Sequence, residues 1–222
     1  MRAWIVSFVA LLGVLMCGEA LAQGGGQVGV QKDVIYSRDQ GSALLADIAY
    51  PQGRRGLPAI IYVHGGRWRA GSRDQENALD IAQWARDGYF AMNIDYRLVG
   101  ASPAPAPYQD TLSAVRFVHA NAEKYGIDPK RIYLIGDSSG GHLVSLVATL
   151  GKGPYPVTGS WPDASTEVRA VISVSGPYDL TTLSWGDLWT PETGPASVSR
   201  QLASPIRSVS EDLWAQNTEL LN

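Results

Sequence analysis

The chain is poor in the residues that most metal, disulfide and redox chemistry requires. Its 222 residues include one cysteine, Cys17, and three histidines. No internal disulfide can form, and no thiolate set is available for a structural zinc site. His64, His119 and His142 are scattered without ligand spacing, so no metal and no other cofactor is expected. Basic excess is also missing. Eighteen Lys and Arg stand against 21 Asp and Glu, for a net charge of −3. A protein that neutralises a run of phosphates needs the opposite balance, which excludes a generic nucleic-acid binder. No apolar stretch reaches the roughly 18 residues that a membrane span needs. Glycine, at 24 residues, has no three-residue period, so a collagen-like chain is excluded. What is present is an apolar fraction of 45% with little net charge, the composition of one folded domain with a substantial core.

The first residues are set apart by their order. Met1-Arg2 gives a positive end, Ala3 to Met16 an apolar run interrupted at Ser7, and Ala20-Leu21-Ala22 a small-residue site. This is the layout of a secretory signal peptide over residues 1–22, with cleavage expected after Ala22. Export to a periplasm or an outside medium follows as an expectation, and cleavage would remove Cys17. Residues 23–222 are then one domain, opening with a Gly/Gln-rich leader at Gln23 to Gly29.

From there strands and helices alternate. Val34-Ile35-Tyr36 and Leu44 to Tyr50 are expected as strands around a turn at Gln40-Gly41. Ala59 to Val63 is wholly apolar, as in a strand covered on both faces. A helix over Glu76 to Arg86 ends at Gly88, and a strand covers Phe90 to Ile94. Leu112, Val115, Val118 and Ala122 recur at helical spacing within Tyr108 to Lys124. A strand at Arg131 to Ile135, a helix at Gly140 to Leu150 and a strand at Val168 to Val174 complete the series. This alternation predicts an α/β fold with a mostly parallel central sheet and helices on both faces.

Two segments at strand ends carry chemistry. Gly136-Asp137-Ser138-Ser139-Gly140 lies between a predicted strand and a predicted helix. That context makes it a nucleophile elbow, in which a sharp turn lifts the Ser138 hydroxyl above the sheet beside a helix N-terminus. His64-Gly65-Gly66-Arg67-Trp68 follows the strand Ala59 to Val63. Its glycines free backbone N–H groups to face a carbonyl oxygen that gains charge during acyl transfer. Losing one such donor typically costs about 10²–10³ in rate. Gly65, Gly66 and the N–H of Ser139 are therefore the candidate oxyanion hole, and Trp68 the candidate substrate contact.

With Asp95-Tyr96-Arg97-Leu98, Tyr125-Gly126-Ile127-Asp128-Pro129 and Ser175-Gly176-Pro177-Tyr178-Asp179-Leu180, these motifs stand in a recognisable order. The chain resembles α/β-hydrolase carboxylesterases, in the branch of hormone-sensitive lipase and the feruloyl and acetyl-xylan esterase-like (BD-FAE-type) proteins. The resemblance runs from about residue 34 to about residue 207. It implies a carboxylic ester as substrate, Ser138 as nucleophile and the Gly65/Gly66 loop in the oxyanion hole. It also implies an acid and a histidine after the nucleophile. No H-G-x-x-D with a later G-H is found, and the terminal strands are missing, so the domain is expected to be incomplete at its C-terminus. His64 belongs to the oxyanion loop, His142 to the helix behind Ser138, and His119 to a helix face. Asp179 is read as a capping residue. Trp161, Trp185 and Trp189 are either pocket walls or loop packing. The missing base leaves a second reading open: an inactive hydrolase that binds its ligand without turnover.

Overall fold

A computed structural model describes residues 27–178. The leader at residues 1–22, Asp179, Trp185, Trp189 and the segment beyond residue 207 lie outside the described residues. Six strands make one sheet in the order β1-β2-β4-β3-β5-β6. The first two, β1 (Val28–Asp39) and β2 (Ser42–Pro51), are an antiparallel hairpin. Gln40 and Gly41 form its two-residue turn with φ of 46° and 81°. Positive φ at both central residues matches the right-handed twist of the flanking strands. Val28 and Gly29 pair with Pro51 and Tyr50, so β1 begins inside the segment read as a flexible leader. On this edge strand the register slips between Gln31 and Val34 and again between Ile35 and Ser37. Such bulges make an edge a poor template for another chain.

The remaining strands, β3 (Leu57–Val63), β4 (Phe90–Ile94), β5 (Ile127–Asp137) and β6 (Ala170–Val174), run parallel. Ala59, Ile61 and Val63 of β3 face one layer of core, with Leu112, Val115, Leu143 and Val144. Ile60 faces the other, with Ile81, Ala85 and Ala91. Helices α2 (Ala106–Ala120) and α4 (Ser139–Leu150) thus cover one face, and α1 (Ile81–Arg86) the other. The mostly parallel sheet with helices on both faces is the architecture expected from the alternation.

Two helices differ from the sequence-based expectation. The first starts at Ile81 rather than Glu76, because the Asp80 side chain accepts from the Gln83 N–H and caps it there. The second stops at Ala120. Asn121 leaves helical geometry (φ −107°, ψ 14°) and its side chain donates to the Phe117 carbonyl. A separate turn, α3 (Ala122–Tyr125), then ends at Gly126 in the left-handed conformation.

One register places the site. Val63, the last residue of β3, pairs in parallel with Gly136 near the end of β5. The loop after β3 and the turn after β5 therefore leave the sheet side by side, at the carboxyl ends of adjacent strands, where open α/β sheets hold their ligands.

Candidate active site

The turn after β5 is as tight as the sequence requires. Ser138 has φ 50° and ψ −119°, a conformation that L-residues adopt only under strain. Its N–H donates to Val174 O at 2.7 Å, which fixes the turn to β6, and its carbonyl accepts from His142 N–H at 3.1 Å. A Cβ on Gly136 would lie 2.4 Å from Gly140 C and O. One on Gly140 would lie 2.0 Å from Val63 O. Glycine is needed at both places because backbone occupies the side-chain space. Ser138 is half-buried, and its hydroxyl makes no hydrogen bond among the described residues.

The loop after β3 is held beside it by a carboxylate. Asp137 Oδ1 accepts from Gly65 N–H at 3.1 Å and from the Tyr62 hydroxyl at 2.6 Å. Gln75 Nε2 donates in turn to that hydroxyl at 2.9 Å. Burial pushes the Tyr62 phenol well up, and the Asp137 bond adds to this, so the phenol stays protonated as donor. The Gly65 N–H is therefore committed to Asp137, which conflicts with its expected place in the oxyanion hole. Gly66 N–H has no acceptor among the described residues. Ser139 N–H opens α4, where the first amides have no intrahelical partner. Among the described residues these two N–H groups are candidate donors to an oxygen at the elbow.

Trp68 is not where a substrate contact must be. Arg67 and Trp68 both adopt left-handed backbone (φ 58° and 59°), and the indole turns down into the core. It is 3% exposed and packs edge-on against His142, with ring centroids 5.3 Å apart.

The histidines are accounted for, and none bonds Ser138 Oγ among the described residues. His64 is buried and stacks on Tyr96 at 4.2 Å. Its Nδ1 lies 2.7 Å from the Gly65 carbonyl, which assigns the proton to Nδ1. Burial lowers its pKa, against the smaller opposing effects of the Gly65 carbonyl, Asp95 and Asp137, so the ring is neutral. Tyr96 closes the underside, with its hydroxyl donating to His64 O at 3.1 Å. His142 is buried within α4. His119 Nε2 meets the Glu167 carbonyl at 2.8 Å. Trp161 is loop packing: its Nε1 donates to Tyr36 O at 2.9 Å and its ring lies edge-on to Phe117.

The tripeptide Asp95-Tyr96-Arg97 had no assigned role from sequence. Arg97 forms a fork with Asp110, through its Nε and a terminal nitrogen, and also reaches Asp39 at 2.8 Å. This buried triad joins the end of β1, the loop after β4 and helix α2. Asp95 accepts from Arg73, which also binds Asp33 and Asp47. Neither group bonds the elbow among the described residues; each ties loops to the sheet. No cluster of three or more His, Cys, Asp or Glu among the described residues could hold a metal.

A strained serine between strand and helix, with an N–H-rich loop alongside, is the site plan of α/β-hydrolases that cleave carboxylic esters. The comparisons with known proteins give an α/β-hydrolase esterase family and fold. The BD-FAE family model matches residues 46–212, and the chain belongs to that family. Carboxylesterase NlhH of Mycobacterium tuberculosis is 36% identical over 102 residues, which cover 46% of this chain and 32% of the relative. Esterase LipC of the same organism is 33% identical over 135 residues, covering 61% and 32%. This chain thus spans about a third of the length of the curated relatives it matches. Among solved structures, a truncated form of a carbohydrate esterase from gut microbiota has a TM-score of 0.61 at 30% identity, covering 73% of this chain and 61% of that one. An esterase from Thermogutta terrifontis, with a TM-score of 0.59 at 24% identity, shares the fold.

Proposed function

We propose that this chain is the nucleophile-bearing part of a serine carboxylesterase acting on small carboxylic esters. Ser138 Oγ attacks the ester carbonyl carbon, the C–O bond to the alcohol breaks, and the alcohol leaves carrying the serine proton. Water then cleaves the resulting acyl-serine, releasing the acid and restoring Ser138. The N–H groups of Gly66 and Ser139 receive the carbonyl oxygen as its charge grows. The observation that carries this reading is the Ser138 backbone, held in a strained turn by glycines that no other residue can replace. Backbone strain of this kind clusters at active sites and ligand clamps. The test is labelling by a fluorophosphonate, read by intact mass and peptide mapping. Modification of Ser138, and none in Ser138→Ala, is the expected result; equal modification of both proteins overturns it.

A second reading, ligand binding without turnover, has its own support in the three histidines, none of which bonds the Ser138 hydroxyl among the described residues. A serine hydroxyl is a weak nucleophile until a base takes its proton. Loss of a triad histidine costs about 10⁶-fold in kcat, and oxyanion hole and binding alone retain about 10³–10⁴ over water. On the first reading residues 1–222 show weak aryl-ester turnover, and on the second they show none. Saturable binding of a short-chain ester with no acyl-serine at Ser138 favours the second reading.

The leader is proposed to export the chain. A mature protein beginning at Gln23 supports this, and retention of residues 1–22 contradicts it. No helix among the described residues is long and apolar enough to cross a membrane.

A further inference from the structure

The Asp137 carboxylate sits between the two halves of the site and belongs chemically to neither. It precedes the nucleophile by one residue, and the N–H it accepts precedes the Gly66 donor by one residue. Its second partner, Tyr62, lies on β3 one residue before Val63, and Tyr62 is held by Gln75 from the loop beyond. The fit is steric as well as polar: a Cβ on Gly65 would lie 2.4 Å from Asp137 Oδ2, so the loop backbone rests directly on the carboxylate. A surface aspartate would make none of these contacts. This one spans from the nucleophile's neighbour to the loop after β3.

We propose that Asp137 is a positioning residue that sets the distance between the oxyanion loop and the Ser138 hydroxyl, with Tyr62 and Gln75 holding its carboxylate in place. This rests on the serine-esterase reading above and adds to it the group that aligns the two halves. By keeping the Gly65 N–H, Asp137 directs the next amide, that of Gly66, to the reacting oxygen. A backbone donor off by about 1 Å can cost 10²-fold.

The test uses the whole chain and three variants, Asp137→Ala, Asp137→Asn and Tyr62→Phe. Two quantities are read: the phosphonylation kinetics of Ser138, and hydrogen exchange of the Gly65 amide by NMR. In Asp137→Ala, kinact is expected to fall about 10²–10³-fold, as for loss of an oxyanion donor, with KI unchanged. Gly65 exchange accelerates in the same protein. Asp137→Asn keeps an acceptor for Gly65 and recovers most of kinact. Tyr62→Phe keeps the ring and the fold, and gives an intermediate loss. An Asp137→Ala protein with unchanged Gly65 exchange overturns the proposal, because the bond is then not what holds the loop. Faster exchange with unchanged kinact overturns it too, because the loop position then does not matter. Should wild type fail to label, the serine-esterase reading falls separately, and Gly65 exchange still decides whether Asp137 pins the loop.

Discussion

For individual residues, the space around a single atom decides what is tolerated, and two glycines show how. Gly41 in the β1–β2 turn has φ 81°, and a Cβ there would meet nothing within 4 Å, so Gly41→Ala meets only backbone strain, about 1–2 kcal/mol. Gly140 lies in a helix, where alanine would be favoured by about 1 kcal/mol. Yet its Cβ would lie 2.0 Å from the Val63 carbonyl. Crowding against backbone wins: Gly140→Ala is expected to lose about 3 kcal/mol, the upper end of the usual cost of overpacking. Urea melts of the two variants check the order, and Ser138 phosphonylation should survive only in Gly41→Ala. The tight turn at Ser138 was legible in the sequence, since G-x-S-x-G between strand and helix calls for it. The loop after β3 was not. Gly65 and Gly66 look alike in a sequence, but Gly65 donates to Asp137 while Gly66 has φ 124° and rests against the Ala70 carbonyl. Trp68 looks like a pocket wall until two left-handed residues turn it inward.

Between strands, helices and loops, charge ties the loops to the sheet. Asp47 on β2 accepts from Lys32 at 2.6 Å, from Asp33 N–H at 3.0 Å and from Arg73 at 3.1 Å. Burial raises its pKa, but these hydrogen bonds outweigh burial and hold it below the ordinary aspartate value. The native state therefore binds the proton less readily than the unfolded chain. This contribution to stability is complete above the unfolded pKa, about 3.9, and is lost as pH falls through the lower folded value. The stability gap between wild type and Asp47→Asn should be constant near neutrality and shrink below about pH 4. A gap that widens on acidification contradicts the assignment. Asp110→Ala should cost about 3–5 kcal/mol in a urea melt, since it leaves the Arg97 guanidinium buried with only Asp39. Strand cores were readable because apolar runs such as Ala59 to Val63 admit no other environment. Helix ends were not, because they depend on single side chains: Asp80 capping α1, and Asn121 folding back on Phe117.

Across the fold, order along the chain becomes proximity through a parallel sheet. β3 and β5 are separated by α1, β4, α2 and α3, yet Val63 lies beside Gly136. That register brings the loop of Gly66 to the turn of Ser138, and the sheet order was the part of the fold that the element pattern alone left open. The esterase reading depends on this meeting point making Ser138 a nucleophile. Fluorophosphonate treatment followed by peptide mapping is the decisive experiment. One adduct is expected, on Ser138 and absent from Ser138→Ala. An adduct on any other residue, or an unmodified wild-type protein, contradicts it.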